Sequence, residues 1–260
     1  DSRFLEGAIL VYLKKLGVVA PNKPIREDVK KDGKFTGAYV QDPQKGKHDW
    51  VYDLDITSMY PSIIMSLNIS PETKIGKVVG WNPEEFISGK QKTYSIKMGG
   101  TKKGQFTETE LKDFFDKNQV SVSNNGILYR TDKQGLIPTL LSEWFDKRKE
   151  FRKLAKKFGD EGDEEQYGYF NRRQHIQKIV LNSMYGVLGL PVFRFYDLDN
   201  AEATTTTGQS LIKFSKKITN HFYNNELNDM KDHVIYIDTD SIFASAVPLI
   251  EKRYPNEKLS

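Results

Sequence analysis

The chain has 260 residues, with 39 Lys or Arg against 35 Asp or Glu and a formal net charge of +4. It holds no cysteine, which excludes disulfides and thiolate-ligated zinc or iron–sulfur centres and is compatible with a reducing compartment. Its 38% hydrophobic and 28% charged residues, mean hydropathy of −0.59 and pI near 8.9 describe a polar globular chain with a mild preference for polyanionic partners.

Residues 1–20 are predicted to form a short helix, with Phe4, Ile9, Tyr12, Leu13 and Leu16 apolar, Gly17 as C-cap and Pro21 and Pro24 as breakers. The apolar stretch here is interrupted by Lys14 and Lys15. It falls short of the roughly 18 residues of a membrane span and lacks the pattern of a signal peptide. Residues 25–50 read as extended segments and turns, with 35–40 the most strand-like, and a strong strand follows at 50–56. That strand breaks at Ser58 and Pro61 into a helix over 61–67. Residues 75–135 are polar and turn-rich, punctuated by Gly99-Gly100, Asn124-Asn125-Gly126 and Gly135, and their pattern assigns no element. Pro138 then opens a helix through Phe158, closed by Gly159. A second helix over 164–187 starts from Asp163 and Gln166, spaced as a capping box. Two long helices joined by so short a turn pack antiparallel. A third helix is expected over 201–224 and a hairpin over 233–246.

Chemistry concentrates first in acids. Asp238-Thr239-Asp240 lies where two apolar strands meet. By itself it reads as turn chemistry or as a divalent-cation site, where hard carboxylate oxygens hold Mg²⁺. Asp55, at the end of the strand Val51-Tyr52-Asp53-Leu54-Asp55, shifts the balance. Two-metal phosphoryl transfer needs carboxylates converging from separate strand ends. Asp53 shares the face of Asp55 but lies further back, and is ranked as structural.

Cations come next. Residues 147–157 hold seven basic residues and one acid; a solvated helix face is the usual explanation. Arg148 and Arg152, however, share a face at i,i+4. On the next helix Gln174, Lys178, Asn182 and Tyr185 form one stripe ending at Gly186, while Ile176, Val180, Ser183, Met184 and Val187 form a mostly apolar one. If the helices align these stripes, Arg148, Arg152 and Lys178 would clamp a triphosphate.

With these residues in hand, the sequence resembles family B DNA polymerases, in particular the replicative polymerases of tailed bacteriophages. Three blocks occur in the family's order: Asp55-Ile56-Thr57-Ser58-Met59-Tyr60-Pro61-Ser62, Lys178 through Asn182-Ser183-Met184-Tyr185-Gly186, and Tyr236-Ile237-Asp238-Thr239-Asp240-Ser241. Weaker likenesses lie at Phe35-Thr36-Gly37-Ala38, at 125–152 and at 204–209, with 65–123 the least recognisable part. The resemblance implies an α+β fold: a polymerase palm, built as an antiparallel sheet packed with helices, and an antiparallel two-helix fingers insertion. It divides the chain into an N-terminal helix and linker (1–34), the first part of the palm with a variable insertion (35–137), the fingers hairpin (138–187) and a second palm part truncated before the thumb (188–260).

It also implies the site. Asp55 and Asp240 would ligate two Mg²⁺ ions, for which Mn²⁺ can substitute, with Asp238 adjacent and the Ile56 carbonyl joining the coordination. Backbone amides of Ser58, Met59 and Tyr60 would hold the β- and γ-phosphates of the dNTP, and the Tyr60 ring would be the steric gate against a ribose 2′-hydroxyl. Arg148, Arg152 and Lys178 would bind the triphosphate, with Lys178 protonating the leaving pyrophosphate. Asn182, Tyr185 and Gly186 would line the nascent base pair, and Phe35, Gly37 and Ala38 would touch the template strand. Three positions depart from the family pattern: Met59 replaces Leu, Arg152 stands where phage relatives often carry Lys, and Ile237 stands where many members have Gly.

Primer–template DNA and dNTPs are the implied partners, with no membrane, in a cytoplasm that is the host's if the gene is a phage's; a sliding clamp is not assessable from the sequence. Starting at Asp1, with no room before Phe35 for an exonuclease and twenty residues after Asp240 for a thumb, the chain is expected to be a palm–fingers piece. It is either an artificial truncation or one half of a split polymerase whose second chain carries the exonuclease or thumb. The rival expectation is a non-catalytic nucleotide- or nucleic-acid-binding remnant. A reverse transcriptase fits less well, because Thr239 separates the acids.

Overall fold

A computed structural model describes residues 2–23, 36–90, 93–99 and 101–256. Phe35 and much of the predicted extended stretch after Pro24 lie outside the described residues. In chain order the elements are α1 (Ser2–Lys15), β1 (Val40–Gln41), β2 (Val51–Asp55), α2 (Met59–Leu67), β3 (Lys74–Val79), α3 (Pro83–Ile87), β4 (Tyr94–Met98), β5 (Thr101–Phe106) and α4 (Glu108–Lys117). Then follow β6 (Val120–Val122), β7 (Ile127–Arg130), α5 (Leu136–Asp160), α6 (Glu164–Leu188), α7 (Leu198–Leu227), β8 (Val234–Asp238), β9 (Ser241–Ser245) and α8 (Val247–Arg253). The fold is mixed α+β with antiparallel sheets.

These elements form two compact units, Asp1–Thr36 with Tyr60–Thr204, and Gly37–Met59 with Thr205–Ser260. The breaks between them fall at 36/37, 59/60 and 204/205.

In the first unit, α1 ends as its C-cap predicts. Gly17 takes φ +67, and the Val18 amide returns to the Leu13 carbonyl at 3.0 Å. Glu6, only 8% exposed, is held by Lys23 at 3.1 Å and Arg194 at 3.2 Å, the pairing a buried carboxylate requires. The stretch that the sequence pattern left unassigned is a five-stranded sheet ordered β5-β4-β3-β7-β6. Its core joins Val78, Tyr94, Ile96, Leu111 and Leu128, ringed by Trp81, Phe86, Phe114 and Phe115. Asn82 caps α3, and Thr107 with Glu110 forms a reciprocal capping box on α4.

The helical hairpin forms where its pattern puts it, with one correction. α5 begins at Leu136, two residues before Pro138, because residues distant in sequence cap it. The Gly135 amide donates to Asn68 Oδ1 at 2.8 Å, Leu136 to Glu72 Oε1 at 2.5 Å and Ile137 to Ser70 Oγ at 3.4 Å. Pro138 sits in the first turn, where its missing N–H leaves nothing unpaired. Gly135 has no substitute here, since a Cβ would lie 2.8 Å from Ser70 Cβ and 2.9 Å from Thr73 Cγ2. Asp163 caps α6 by accepting from the Gln166 amide at 3.0 Å. The hairpin zips through Phe170, stacked on Phe158 at 5.6 Å and tilted on Phe151 at 6.2 Å.

In the second unit the sheet runs β1-β8-β9-β2. Ile212 of α7 packs with Val234, Ile237 and Ile242 under it, beside Tyr39 and Ile56. Ile237 is therefore fully buried, so its side chain lies on the face opposite the neighbouring Asp238. The Tyr223 hydroxyl donates to the Ser245 carbonyl and meets Tyr52 Oη, both at 2.8 Å, tying α7 to β9 and β2. Burial first, then Tyr52, pushes the Tyr223 hydroxyl above its ordinary range.

Candidate active site

In the second unit, strand register gathers the acids. Asp55 ends β2 and Asp238 ends β8, and both lie opposite Ser241, the first residue of β9. Residues paired in register share a face, so Asp55, Ser241 and Asp238 form one row across three strands. One row back, Asp53 lies opposite Phe243, whose ring meets Tyr236 at 5.5 Å, giving the acids an aromatic floor. The β8–β9 turn is tight. Thr239 takes the left-handed φ of +56, its amide donates to the Tyr39 carbonyl at 3.0 Å, and the Asp240 amide donates to the Asp238 carbonyl at 2.6 Å. The Ile56 amide donates to the Asp240 carbonyl at 2.9 Å, which fixes the end of β2 to that turn.

The electrostatics follow from this crowding. Burial, and then the charge of Asp55, push the Asp240 carboxyl above its ordinary range, with Asp238 and Asp53 adding to the effect. Among the described residues only neutral donors reach these acids: Ser241 Oγ lies 3.4 Å from Asp55 Oδ2, and Thr239 Oγ1 donates to Asp238 Oδ1 at 3.0 Å. Among the described residues no group of three or more His, Cys, Asp or Glu is arranged to hold a metal ion. The acids share a field rather than one coordination point. Their donor set nevertheless suits a hard divalent cation: carboxylate oxygens from two strand ends and a turn, the Ile56 carbonyl, and negative charge in excess. Asp53, ranked as structural from its position, lies close enough to feed that excess. Its two-residue spacing from Asp55 was the available signal.

Gly37 and Ala38 are exposed on the segment that leads to Tyr39, and the Gly37 carbonyl accepts from Gln209 Nε2 of α7 at 2.7 Å. Ser58 takes a left-handed φ of +53 immediately before α2, and Met59 is 2% exposed. Ser58, Met59 and Tyr60 thus sit at the start of a helix, where first-turn amides have no partner within the helix.

In the first unit, Tyr60 lies against Tyr185 of α6, ring centroids 4.5 Å apart and tilted by 36°. Burial pushes the Tyr185 hydroxyl up. Gly186 is exposed, and a Cβ there would meet nothing within 4 Å. On α5, Arg148 is half-buried and its Nε is enclosed without a partner among the described residues. Burial first, and the charge of Arg152 second, depress the Arg148 guanidinium. Arg152, Lys178 and Asn182 are exposed, and neither Arg152 nor Lys178 has a hydrogen bond or ion pair among the described residues. The apolar stripe of α6 differs from the predicted one. Leu181, Met184, Val187 and Leu188 are buried, whereas Ile176 is 55% and Ile179 54% exposed. An exposed apolar face therefore runs beside Lys178 and Asn182.

Comparison with known proteins matches residues 2–249 to the model of DNA polymerase family B. The DNA-directed DNA polymerase of Escherichia phage RB69 is 27% identical over 267 residues, 84% of this chain and 27% of its own. The DNA polymerase of Archaeoglobus fulgidus is 30% identical over 237 residues, 91% of this chain and 23% of its own. The solved structure of the family B DNA polymerase from Pyrobaculum calidifontis superposes with a TM-score of 0.57 at 28% identity, covering 96% of this chain and 28% of that one. The chain spans about a quarter of the length of the curated relatives it matches.

Proposed function

The chain belongs to DNA polymerase family B, and we propose that it carries the palm and fingers of a DNA-directed DNA polymerase, transferring a dNMP from a dNTP to a primer 3′-hydroxyl. The palm is assigned to the acid-bearing sheet with its flanking segments, and the fingers to the hairpin of α5 and α6. The observation that carries this reading is the convergence of Asp55, Asp238 and Asp240 at one strand-end junction, where burial first and the neighbouring acids second raise Asp240.

In the proposed reaction the primer 3′-hydroxyl gives up its proton to solvent as its oxygen bonds to the α-phosphorus, the bond from that phosphorus to the bridging oxygen breaks, and pyrophosphate leaves. Asp55, Asp240 and the Ile56 carbonyl would hold two Mg²⁺ ions, with Asp238 adjacent; such ions supply activation of the attacking oxygen and neutralisation of the leaving one. The half-buried Arg148, with Arg152 and Lys178, supplies charge-assisted hydrogen bonds to the triphosphate. Lys178 passes a proton to the departing pyrophosphate. The amides at the start of α2 receive the β- and γ-phosphates, as helix N-termini do. Tyr60, braced by the Tyr185 ring, closes the space that a ribose 2′-hydroxyl needs, and Asn182, Tyr185 and Gly186 border the new base pair. Gly37 and Ala38 bear on the template strand, with Phe35 assigned the same role from its motif alone.

Phage and archaeal relatives are equally similar, so the reading rests on the family rather than on its phage branch. No helix among the described residues is long and apolar enough to cross a membrane, and the proposed reaction belongs in the cytoplasm, where primer, template and dNTPs are found. Primer extension with Mg²⁺ or Mn²⁺ tests the proposal, with the chain alone and with an added chain supplying exonuclease and thumb. Incorporation in either arm that depends on Asp240 supports it. Absence of incorporation in both arms, with binding of DNA intact, would favour a non-catalytic nucleic-acid-binding role and sink the enzyme reading.

A further inference from the structure

The sheet of the first unit has a face that the polymerase reading leaves unused. Tyr94, Ile96 and Met98 of β4 belong to the aromatic core, while Lys97 between them is exposed on the other side. Lys77 of β3 lies directly opposite Lys97, and Lys97 directly opposite Lys102 of β5. Three lysine positions therefore form a line across three strands, about 10 Å from end to end at the usual strand spacing. Like charges facing each other across a sheet are unfavourable, and no hydrogen bond or ion pair among the described residues relieves Lys77 or Lys97, both of them exposed. Residues 87–107 carry five lysines and no acid. The neighbouring acids, Glu84, Glu85, Glu108 and Glu110, head α3 and α4, the helices whose Phe86, Leu111 and Phe114 pack on the opposite face.

Towards β7 the lysine side is covered by the start of α7. There Lys74 bonds Asp197 at 2.5 Å and Asp199 at 3.3 Å, and Tyr129 donates to Asn200 at 2.8 Å. The step from covered to open face forms a shallow concavity of about 270 Å³ with Lys74, Lys77, Lys97 and Asp199 in its lining.

We propose that this lysine line is a second nucleic-acid contact, outside the polymerase site, that grips the phosphate backbone of DNA without regard to sequence. The ammonium groups of Lys77 and Lys97, exposed at strand spacing, match successive charges along a line of phosphates, and lysine binds phosphate as a point charge. The row carries no arginine fork and no aromatic platform, so it positions the strand rather than reads bases. An acidic peptide helix would instead need apolar anchors in a groove, and Val79, 45% exposed, is the sole large apolar side chain exposed on the paired stretch of β3 and β4. The inference uses the polymerase reading only to supply DNA as the polyanion.

The test is fluorescence anisotropy of a labelled primer–template duplex bound to the full chain, titrated with KCl. The expected result is a salt slope of log K shallower by about one for each of Lys77→Gln and Lys97→Gln, and by about two for the pair. Lys97→Glu gives a cross-strand ion pair with Lys77, so its thermal midpoint should hold or rise while DNA affinity falls. Loss of binding therefore cannot be blamed on unfolding. An unchanged slope in the double variant overturns the inference. So does a lysine-dependent slope for poly-L-glutamate without one for DNA, which would assign the face to an acidic protein. Asp240→Asn should keep the lysine-dependent slope. If the wild-type chain incorporates no nucleotide yet keeps that slope, the polymerase reading falls and this inference stands; incorporation with an unchanged slope does the reverse.

Discussion

Each unit contains an antiparallel sheet crossed by a row of like charges. In the second unit the row is Asp55–Ser241–Asp238, with Asp240 in the turn above it; in the first it is Lys77–Lys97–Lys102. Both rows oppose the electrostatics of an isolated sheet. They differ in how tightly the backbone holds them. The acids sit on strand ends tied by the bond from Ile56 to the Asp240 carbonyl and by a strained residue at Thr239, over the buried Ile212, Ile237 and Ile242. Lys77 and Lys97 lie exposed within their strands, and a lysine carries its charge on a flexible stem. Rigid placement suits groups that must meet reacting atoms within a fraction of an ångström. Mobile cations suit a polyanion held in many registers. Two rows of opposite sign thus point to two kinds of work on one substrate.

The largest effect should come from the rigid row. Asp240→Asn keeps the shape of the turn but removes the carboxylate charge proposed to hold the metal ions, and incorporation should fall by about a thousandfold or more. Single-turnover primer extension is the measurement, and wild-type rates in the variant would remove Asp240 from the site. Arg148→Ala should come next. Its enclosed Nε lacks a partner among the described residues, and on the proposed reading its loss removes a charge-assisted bond to the triphosphate worth about 1.5–3 kcal/mol, raising the KM for dNTP by roughly tenfold to a hundredfold. Arg148→Lys should recover only part of this, because a lysine cannot reproduce the guanidinium fork. Equal KM values for all three proteins would show Arg148 to be a packing residue. Gly135→Ala probes position without chemistry. The overpacked cap of α5 should cost about 1–3 kcal/mol by denaturant unfolding, and a neutral result would mean that Ser70 and Thr73 yield freely.

Much of this was legible in sequence where periodicity was strong. The hairpin of α5 and α6, the strand ending at Asp55 and the β8–β9 turn lie within a few residues of their predicted places. The sheet around Val78 and Tyr94 was not legible, because its strands are short and lysines and glycines interrupt the apolar alternation of β3 and β5. The start of α5 was hidden because Asn68, Ser70 and Glu72, distant in sequence, cap it. On α6 the pattern misled: Ile176 and Ile179 carry no information about which apolar face is buried, and they lie exposed. The carboxylates were legible as motifs, but the part played by Asp53 required strand register.

The smallest effect is the one that compares the rows directly. If each row is a strained arrangement awaiting an opposite charge, neutralising one member should stabilise the protein while weakening its ligand. Lys97→Gln removes a repulsion with the exposed Lys77, so the expected gain is only about 0.2–1 kcal/mol, further reduced by salt. Asp238→Asn removes the same kind of repulsion, but it also alters the acceptor that Thr239 Oγ1 uses at 3.0 Å. Its gain should therefore be smaller than that of Lys97→Gln. Chemical denaturation without divalent cations, at low and high salt, reads both. Gains that vanish at high salt identify charge as the cause. A loss of stability in Lys97→Gln would mean that the lysine stem packs on the sheet more than its charge strains it, and the two rows would then be alike in register only.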